Sequence, residues 1–276
     1  MGLISAYIQL SRPGNVGIAM LSILIAVSLG GKYYPLSNII LAVISTGLIT
    51  VGANVINDYF DIETDKINKP NRPLAAGIVT PDHARIFFYT VYGIAFILAF
   101  LMTLPLLLIA VSVGILLYLY SYRLKRTVIW GNLAVSMSSA MAFIYGGLAV
   151  NAVRAVYFPA LFAFFFHFGR EIIKDMEDVE GDRQTGANTM AVVYGYQISY
   201  RVTGLVFTGL LILTLIPYFL KIYNEIYLWI IVIGIYPILG YIIVYLKRGA
   251  DKKRLGIFSM ILKIDMLVGL LAIYLG

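Results

Sequence analysis

Cysteine is absent from the 276 residues of this chain, and histidine occurs only twice. The lack of cysteine excludes a disulfide framework and a zinc site built on thiolates, and two imidazoles are too few for a histidine-rich zinc centre. Charged residues are also scarce, at 13% of the chain against about a quarter in a soluble domain. If the chain binds a metal, the sequence therefore favours a hard cation held by carboxylate oxygens.

Apolar residues are what the chain has in excess. They make up 61% of the sequence, and the mean hydropathy is +0.88. Because about 20 apolar residues cross a bilayer as a helix, these runs predict an all-α integral membrane protein with nine transmembrane helices. We expect the helices near residues 14–30, 36–57, 84–104, 105–121, 130–150, 155–174, 199–220, 226–247 and 255–275.

The beginning of the chain has no positively charged segment followed by a cleavage site of small residues. We therefore expect no cleavable signal peptide, and the first apolar stretch should remain as a helix. Residues 2–12 are expected to form a short helix at the membrane interface. Residues 1–276 are predicted to form a single transmembrane domain.

Lysine and arginine are distributed unevenly among the predicted loops. If the N-terminus is cytoplasmic, the outside loops carry only Lys32, Arg154 and Lys221. Since cytoplasmic loops are enriched in basic residues, this asymmetry predicts a multi-pass protein of the cell membrane whose loops 58–83 and 175–198 face the cytoplasm. The same rule accounts for the net charge of +7 without a nucleic-acid partner.

Most of the 14 acidic residues lie in those two loops or at the helix ends that enter them. Each loop and the helix end before it contain one set of four polar residues separated by four, three and four positions. This spacing places the four side chains on one face of a helix. The first stripe consists of Asn54, Asp58, Asp61 and Asp65, and the second stripe consists of Glu171, Asp175, Asp178 and Asp182. Like charges gathered in this way repel one another unless cations lie between them.

Carboxylate oxygens are typical ligands of Mg²⁺, which completes its coordination with water and phosphate oxygens. Basic side chains that can bind phosphate stand nearby, at Arg72 in "NRPLAAG", Lys125 in "YSYRLKR" and Lys174. A solvated helix end capped by acids is the alternative for either stripe alone. Two stripes of equal spacing, predicted on the same membrane face, favour a cradle for a Mg²⁺-bound diphosphate.

Both stripes contain motifs that resemble those of the UbiA superfamily of intramembrane prenyltransferases. The family pattern N-D-x-x-D-x-x-x-D corresponds to "NDYFDIETD" at 57–65, and D-x-x-D-x-x-x-D corresponds to "DMEDVEGD" at 175–182. The strings "SRPGN", "NRPLAAG" and "YSYRLK" match as well. The resemblance implies nine helices around a central cavity that opens to the cytoplasmic side.

The resemblance also implies roles for individual residues around a prenyl diphosphate donor and a lipid-phosphate acceptor. The implied Mg²⁺ ligands are Asp58, Asp61, Asp65, Asp175, Asp178 and Asp182. The implied catalytic residues are Asp58, Asp65, Asp178 and Asp182, with Arg72 and Lys125 on the leaving diphosphate. The implied substrate-binding residues are Arg12, Asn54, Arg72, Tyr120, Lys125 and Lys174. Arg12 would bind the acceptor phosphate, and Tyr120 would stabilise an allylic cation through its ring face, although packing is the commoner role of a tyrosine.

Within the superfamily, "KDMEDVEGDRQTGANTMAVVYG" is most similar to the archaeal digeranylgeranylglyceryl phosphate synthases. This similarity implies Mg²⁺-dependent transfer of a geranylgeranyl group from geranylgeranyl diphosphate to the free hydroxyl of geranylgeranylglyceryl phosphate, in archaeal ether-lipid synthesis. Prenylation of an aromatic acceptor, such as 4-hydroxybenzoate or a quinone precursor, is the alternative within the family. A membrane cation transporter is the alternative from another class, but its charges should lie near the bilayer midplane.

The two histidines are not assigned to catalysis. His167 lies four residues before Glu171 and extends the second stripe into an apolar segment. A contact with substrate or a role as a base is the alternative for His167, and a hydrogen-bonded structural histidine is its expected role. His83, in "TPDHAR", stands at the predicted start of a helix.

Overall fold

The described part of the chain, residues 2–30 and 35–276 of a computed structural model, contains helices as its only regular secondary structure. The all-α prediction is confirmed for these residues. Lys32, assigned above to an outside loop, lies outside the described residues.

Short connections join the helices. In chain order they are α1 (Leu3–Ser11), α2 (Pro13–Ser28), α3 (Leu36–Phe60), α4 (Ile62–Asn68), α5 (Pro81–Met102), α6 (Leu104–Tyr122), α7 (Trp130–Ala149), α8 (Tyr157–Glu177), α9 (Val179–Gln184), α10 (Met190–Val193), α11 (Gly195–Phe219), α12 (Glu225–Ile230), α13 (Tyr236–Lys247) and α14 (Lys252–Leu275). Turns of 3₁₀ helix cover Leu124–Arg126 and Val153–Val156, and a π-helical turn, Ile231–Ile235, joins α12 to α13.

Eight helical segments of the described ranges are long and apolar enough to cross a membrane, with α12, the π-helical turn and α13 counted as one. The protein is therefore a multi-pass membrane protein. The first predicted span corresponds to α2, which has only 16 residues and is bent by 47° from α1. The predicted number of nine is reached only if this bent pair is counted as one span.

The bend between α1 and α2 has a local cause at Arg12. This residue has φ 49° and ψ 70°, a left-handed conformation that cannot continue a right-handed helix. Pro13 then occupies the first position of α2, where its fixed φ suits a helix and its missing N–H costs nothing. The chain therefore turns at Arg12 and starts a new helix immediately.

The two predicted helices that meet at "MTLP" are separate helices. Thr103 is extended, with φ −159° and ψ 155°, and its Oγ1 accepts a hydrogen bond from the backbone N–H of Leu106 at 3.4 Å. A threonine in this position satisfies one of the free N–H groups at the start of a helix. One residue thus ends α5 and caps α6.

The chain is organised as two compact units. The first comprises the residues up to Leu124 together with Met141–Val156, and the second comprises Lys125–Ala140 and Tyr157–Gly276. In the first unit, α3 packs against α2, α5 and α6. A buried chain of hydrogen bonds supports this packing, because Tyr145 donates to Ser45 Oγ at 3.1 Å and Ser45 donates to the carbonyl of Ala95 at 3.0 Å.

In the second unit, α8 packs against α11 and α14. Gly169 on α8 lies against the ring of Phe207 on α11, so closely that a Cβ at this position would be 2.2 Å from Phe207 Cε1. Small residues at such contacts let membrane helices approach each other. This contact holds α8, whose C-terminal end carries the second stripe.

We expect Gly169→Val to lower the free energy of unfolding by about 2–3 kcal/mol, because the added side chain must displace Phe207 from a packed contact. The midpoint of thermal unfolding in detergent measures this change. Gly209→Val on α11 is the matched control, since a Cβ at Gly209 meets no atom within 4 Å. Equal midpoints for the two variants would contradict the proposed packing.

Candidate active site

The spacing predicts that the first stripe runs along one continuous helix, but in the structure the stripe is divided between two helices. Helix α3 ends at Phe60, and Asp61, with φ −98° and ψ 5°, separates it from α4. The backbone N–H of Asp65 still donates to the carbonyl of Asp61 at 2.7 Å, so the turn stays nearly helical across the break. Asp58 and Asp65 therefore remain close to each other although they belong to different helices.

A single guanidinium group joins Asp58 to Asp65. Nη1 of Arg72 lies 3.1 Å from Oδ1 of Asp58 and 2.6 Å from Oδ2 of Asp65. The two carboxylate side chains are only 4% and 8% exposed, so these ion pairs are largely shielded from water. Arg12 forms a second ion pair with the same oxygen of Asp58. Arg12, Asp58, Asp65 and Arg72, four of the residues predicted for the site, are thus in contact with one another.

Asn54 lies one turn before Asp58 and supports the segment that carries Arg12. Its Nδ2 donates to the carbonyl of Ser11 at 2.9 Å, and its side chain is buried. This hydrogen bond ties the end of α1 to α3, and it holds Arg12 next to Asp58. The remaining member of the first stripe, Asp61, is partly exposed and accepts a hydrogen bond from Asn57 Nδ2 at 3.1 Å.

Burial changes the acidity of Asp65. Loss of water around the carboxylate raises the pKa of Asp65 above its usual value of 3.8, and the neighbouring Arg72 only partly opposes this effect. Asp58 and Asp61 add to the increase in the pKa of Asp65, because like charges disfavour ionisation. Burial and the two neighbouring carboxylates thus both disfavour the ionised form of Asp65.

The second stripe has the same backbone break as the first. Helix α8 ends at Glu177, and Asp178, with φ −95° and ψ 6°, separates it from α9. The backbone N–H of Asp182 donates to the carbonyl of Asp178 at 2.9 Å. The two motifs thus share their local conformation as well as their spacing, with Asp61 and Asp178 in equivalent positions.

Two neutral side chains orient the aspartates of the second stripe. Asn132 Nδ2 donates to Oδ2 of Asp175 at 2.8 Å, and Thr189 Oγ1 donates to Oδ2 of Asp182 at 3.1 Å. The sequence reasoning missed both donors. Asn132 was detectable as a buried amide in an apolar helix, whereas Thr189 carries no distinctive local signal. Asp178 itself is exposed.

Glu171 neutralises two basic residues of α8. Its carboxylate accepts from Lys174 Nζ at 3.1 and 2.9 Å and from Arg170 Nη1 at 3.2 Å. Lys174, a predicted diphosphate ligand, is therefore paired with Glu171 within its own helix. The stripe position closest to the membrane interior acts as the partner of two cations.

The predicted residues Tyr120 and Lys125 lie near each other in the sequence, in the last turns of α6 and just after it. Tyr120 is partly buried on α6, and Lys125 is in the 3₁₀ turn Leu124–Arg126. The carbonyl of Arg126 accepts from the backbone N–H of Asn188 at 2.8 Å, which joins this turn to the loop after the second motif.

The donor set of the stripes suits Mg²⁺, which needs only one or two carboxylates when water and phosphate complete its octahedron. Over residues 2–30 and 35–276, no three carboxylate or imidazole side chains converge as a ready-made metal centre. Asp58 and Asp65 nevertheless share one cationic nitrogen, so a cation already occupies the position between two carboxylates. The residues fit a metal that arrives with a phosphate-bearing substrate.

The helical fold and the paired aspartate motifs define a class of membrane enzyme. The model of the UbiA prenyltransferase family matches residues 18–264, and the chain belongs to this family. The predicted family resemblance and the predicted enzyme class, a prenyltransferase, are confirmed. Nothing in the comparisons supports the cation transporter.

Individual relatives are similar to the chain over nearly its whole length. The digeranylgeranylglyceryl phosphate synthase of Methanothermobacter thermautotrophicus is 31% identical over 98% of this chain and 95% of its own. That of Saccharolobus solfataricus is 35% identical over 99% of this chain and 97% of its own.

Solved structures show the same fold. A structure from a study of digeranylgeranylglyceryl phosphate synthase has a TM-score of 0.81 at 30% identity, covering 100% of this chain and 99% of that one. A UbiA homologue from Archaeoglobus fulgidus, bound to DMAPP and Mg²⁺, has a TM-score of 0.69 at 19% identity over 97% of this chain and 98% of its own. The second similarity concerns the fold alone.

Proposed function

We propose that this protein transfers a geranylgeranyl group from geranylgeranyl diphosphate to the free hydroxyl of geranylgeranylglyceryl phosphate, a step of archaeal ether-lipid synthesis. The observation that carries the proposal is the similarity to synthases of this name over nearly the full length of both chains. The buried cluster of Arg12, Asp58, Asp65 and Arg72 supplies charges of the kind such a reaction needs.

The donor diphosphate binds through Mg²⁺ to carboxylates of both stripes. The proposed ligands are Asp58, Asp61, Asp65, Asp175, Asp178 and Asp182. Bound Mg²⁺ supplies Lewis-acid neutralisation of the leaving diphosphate. Arg72, Lys125 and Lys174 bind diphosphate oxygens, and an arginine offers such oxygens two donors at once.

Donor binding exchanges the partners of the first stripe. Without substrate, Arg12 and Arg72 neutralise Asp58 and Asp65, and this pairing keeps two buried carboxylates from repelling each other. With substrate, Asp58 and Asp65 would hold the metal and Arg72 would bind the diphosphate. The exchange keeps every charge paired in both states, so it adds little desolvation cost.

The acceptor lipid binds with its phosphate on Arg12. The side chain of Arg12 is 30% exposed, so it retains donors for a second anion beside Asp58. Tyr120 offers its ring face to the allylic cation that forms as diphosphate leaves. The apolar helices exclude water, which would otherwise capture the cation.

The same proposal includes the placement in the membrane. Residues 1–276 form one prenyltransferase domain of nine spans in the cell membrane, with a central cavity open to the cytoplasm. The concentration of Lys and Arg on one set of loops supports this orientation. Cytoplasmic access also suits a donor whose charged diphosphate is excluded from the apolar interior of the bilayer.

The test is an acceptor comparison with purified protein in detergent, geranylgeranyl diphosphate and Mg²⁺. We expect a digeranylgeranyl product with geranylgeranylglyceryl phosphate and none with 4-hydroxybenzoate, and we expect a chelator to stop the reaction. Prenylation of the benzoate alone would reject the lipid acceptor while keeping the family chemistry. Full activity in a chelator would reject the role of the metal.

A further inference from the structure

His167 is a partly buried histidine to which the site described above gives no role. It lies on α8, four residues before Glu171 and eight before Asp175, and it continues the face that carries the second stripe. Its Nδ1 is buried and has no hydrogen-bond partner among the described residues. The expected hydrogen-bonded structural histidine is therefore not what the structure contains.

The surroundings of His167 do not explain why a polar ring stands there. The nearest charged groups, Arg170, Glu171 and Lys174, are engaged with one another. The neighbouring Phe166 ring is 6.3 Å away, centroid to centroid, and the segment "FAFFFHFG" is otherwise apolar or aromatic. A phenylalanine would fill the same space without leaving a buried nitrogen unpaired, so the imidazole is costly for stability unless a ligand pairs with it.

The position along α8 indicates which part of a ligand is concerned. His167 precedes Asp175 by two helical turns, about 12 Å along the axis. A group at this depth is beyond the reach of a diphosphate held by Asp175. The reacting carbon is bonded directly to the diphosphate, on the side away from the metal. A polar group just beyond the diphosphate can therefore contact the hydroxyl that approaches this carbon.

We infer that His167 hydrogen-bonds the attacking hydroxyl of the acceptor and orients it towards the reacting carbon of the donor. This inference rests on the proposed function. In the reaction a C–O bond forms between the acceptor oxygen and the allylic carbon, and the bond from that carbon to the diphosphate breaks with its electron pair on the diphosphate. The hydroxyl proton passes to the released diphosphate once the oxygen is bonded to carbon, so the imidazole serves to position the hydroxyl.

The decisive experiment compares His167→Phe and His167→Asn with the unchanged protein. We expect His167→Phe to lower kcat/KM for geranylgeranylglyceryl phosphate at least about tenfold, because the hydrogen bond to the hydroxyl is lost. The dissociation constant of geranylgeranyl diphosphate with Mg²⁺ should stay the same. His167→Asn, whose amide can replace Nδ1 in a hydrogen bond, should restore most of the activity.

A deoxy analogue of the acceptor separates this role from a structural one. The unchanged protein should bind the acceptor more tightly than the analogue that lacks the hydroxyl, whereas His167→Phe should bind both equally. His167→Met provides a second apolar replacement if the phenylalanine variant does not fold. His83→Asn, an exposed histidine at the start of α5, is the control and should match the unchanged protein.

Several outcomes would overturn the inference. These are an unchanged kcat/KM in the apolar variants, a parallel loss of donor affinity, or an asparagine variant no better than phenylalanine. If the unchanged protein does not prenylate the lipid acceptor at all, the proposed function fails, and this inference fails with it. Turnover by the unchanged protein with no effect at His167 rejects the inference alone.

Discussion

Asp58→Asn is expected to lower kcat for prenyl transfer at least about a thousandfold, and Asp182→Asn is expected to have an effect of the same order. If the proposed ligand assignment holds, each change removes one charged oxygen ligand from the metal-bound diphosphate, and such charge neutralisation supplies several kcal/mol of a catalytic effect. Asparagine keeps the shape of the side chain and can still accept the hydrogen bonds that Arg72 or Thr189 donates. The fold should therefore survive. The thermal midpoint should change little for Asp182→Asn, and it should fall for Asp58→Asn because Arg12 and Arg72 lose a charged partner.

Matched controls are available beside each motif. Glu63 pairs with Lys66 in the first loop and its side chain is 83% exposed, while Glu180 is exposed on α9. Glu63→Gln and Glu180→Gln should leave kcat within about twofold, because exposed pairs of this kind contribute little. More than a tenth of normal turnover in Asp58→Asn or Asp182→Asn, assayed with saturating Mg²⁺, would refute the ligand assignment for that residue.

Arg72→Met should affect stability and donor binding together. Arg72 neutralises both Asp58 and Asp65, and its loss leaves buried carboxylates with only Arg12 to compensate them. Removing one partner of a buried ion pair costs about 3 kcal/mol, and we expect a decrease of this size in the free energy of unfolding. The affinity for geranylgeranyl diphosphate should fall as well, because the diphosphate loses a bidentate ligand.

Mg²⁺ without donor provides a separate readout for this variant. In the unchanged protein, Mg²⁺ alone should shift the thermal midpoint little, since guanidinium groups already occupy Asp58 and Asp65. In Arg72→Met, millimolar Mg²⁺ should raise the midpoint, because a ligand that binds only the folded state stabilises it.

Arg85 offers the matched control for Arg72. It pairs with Asp82 at the exposed start of α5, where the two side chains are 52% and 79% exposed. Arg85→Met should change neither the midpoint nor its response to Mg²⁺. If Mg²⁺ alone raises the midpoint of the unchanged protein as much as it raises that of Arg72→Met, the proposed exchange of partners at the first stripe is wrong.

The helices were predictable because each has a strong local signal. Apolar runs of the required length define α3, α5, α6, α7, α8, α11 and α14, and the limits differ from the predicted ones by a few residues. Thr103 even marks the boundary between α5 and α6 through its capping hydrogen bond. The predicted helices at 2–12 and 14–30 correspond to α1 and α2, and the predicted break between them falls at Arg12.

The candidate site was predictable in its residue types and only partly in its contacts. Spacing brought Asp58 and Asp65 together correctly, since local helical geometry governs residues seven positions apart. It missed the breaks at Asp61 and Asp178, where an aspartate interrupts each helix for one residue. It also missed that Lys174 is engaged by Glu171 and that His167 lacks a hydrogen-bond partner among the described residues.

The amino-acid sequence by itself determined the membrane class, the positions of the long helices and the two aspartate motifs, because hydropathy and helical periodicity are properties of neighbouring residues. Only the tertiary structure decided that Arg12 pairs with Asp58, that Asn132 donates a hydrogen bond to Asp175 and that Phe207 packs against Gly169. These pairs are far apart along the chain and meet through the packing of separate helices. Helix packing depends on the shapes of whole surfaces, and no local pattern encodes it.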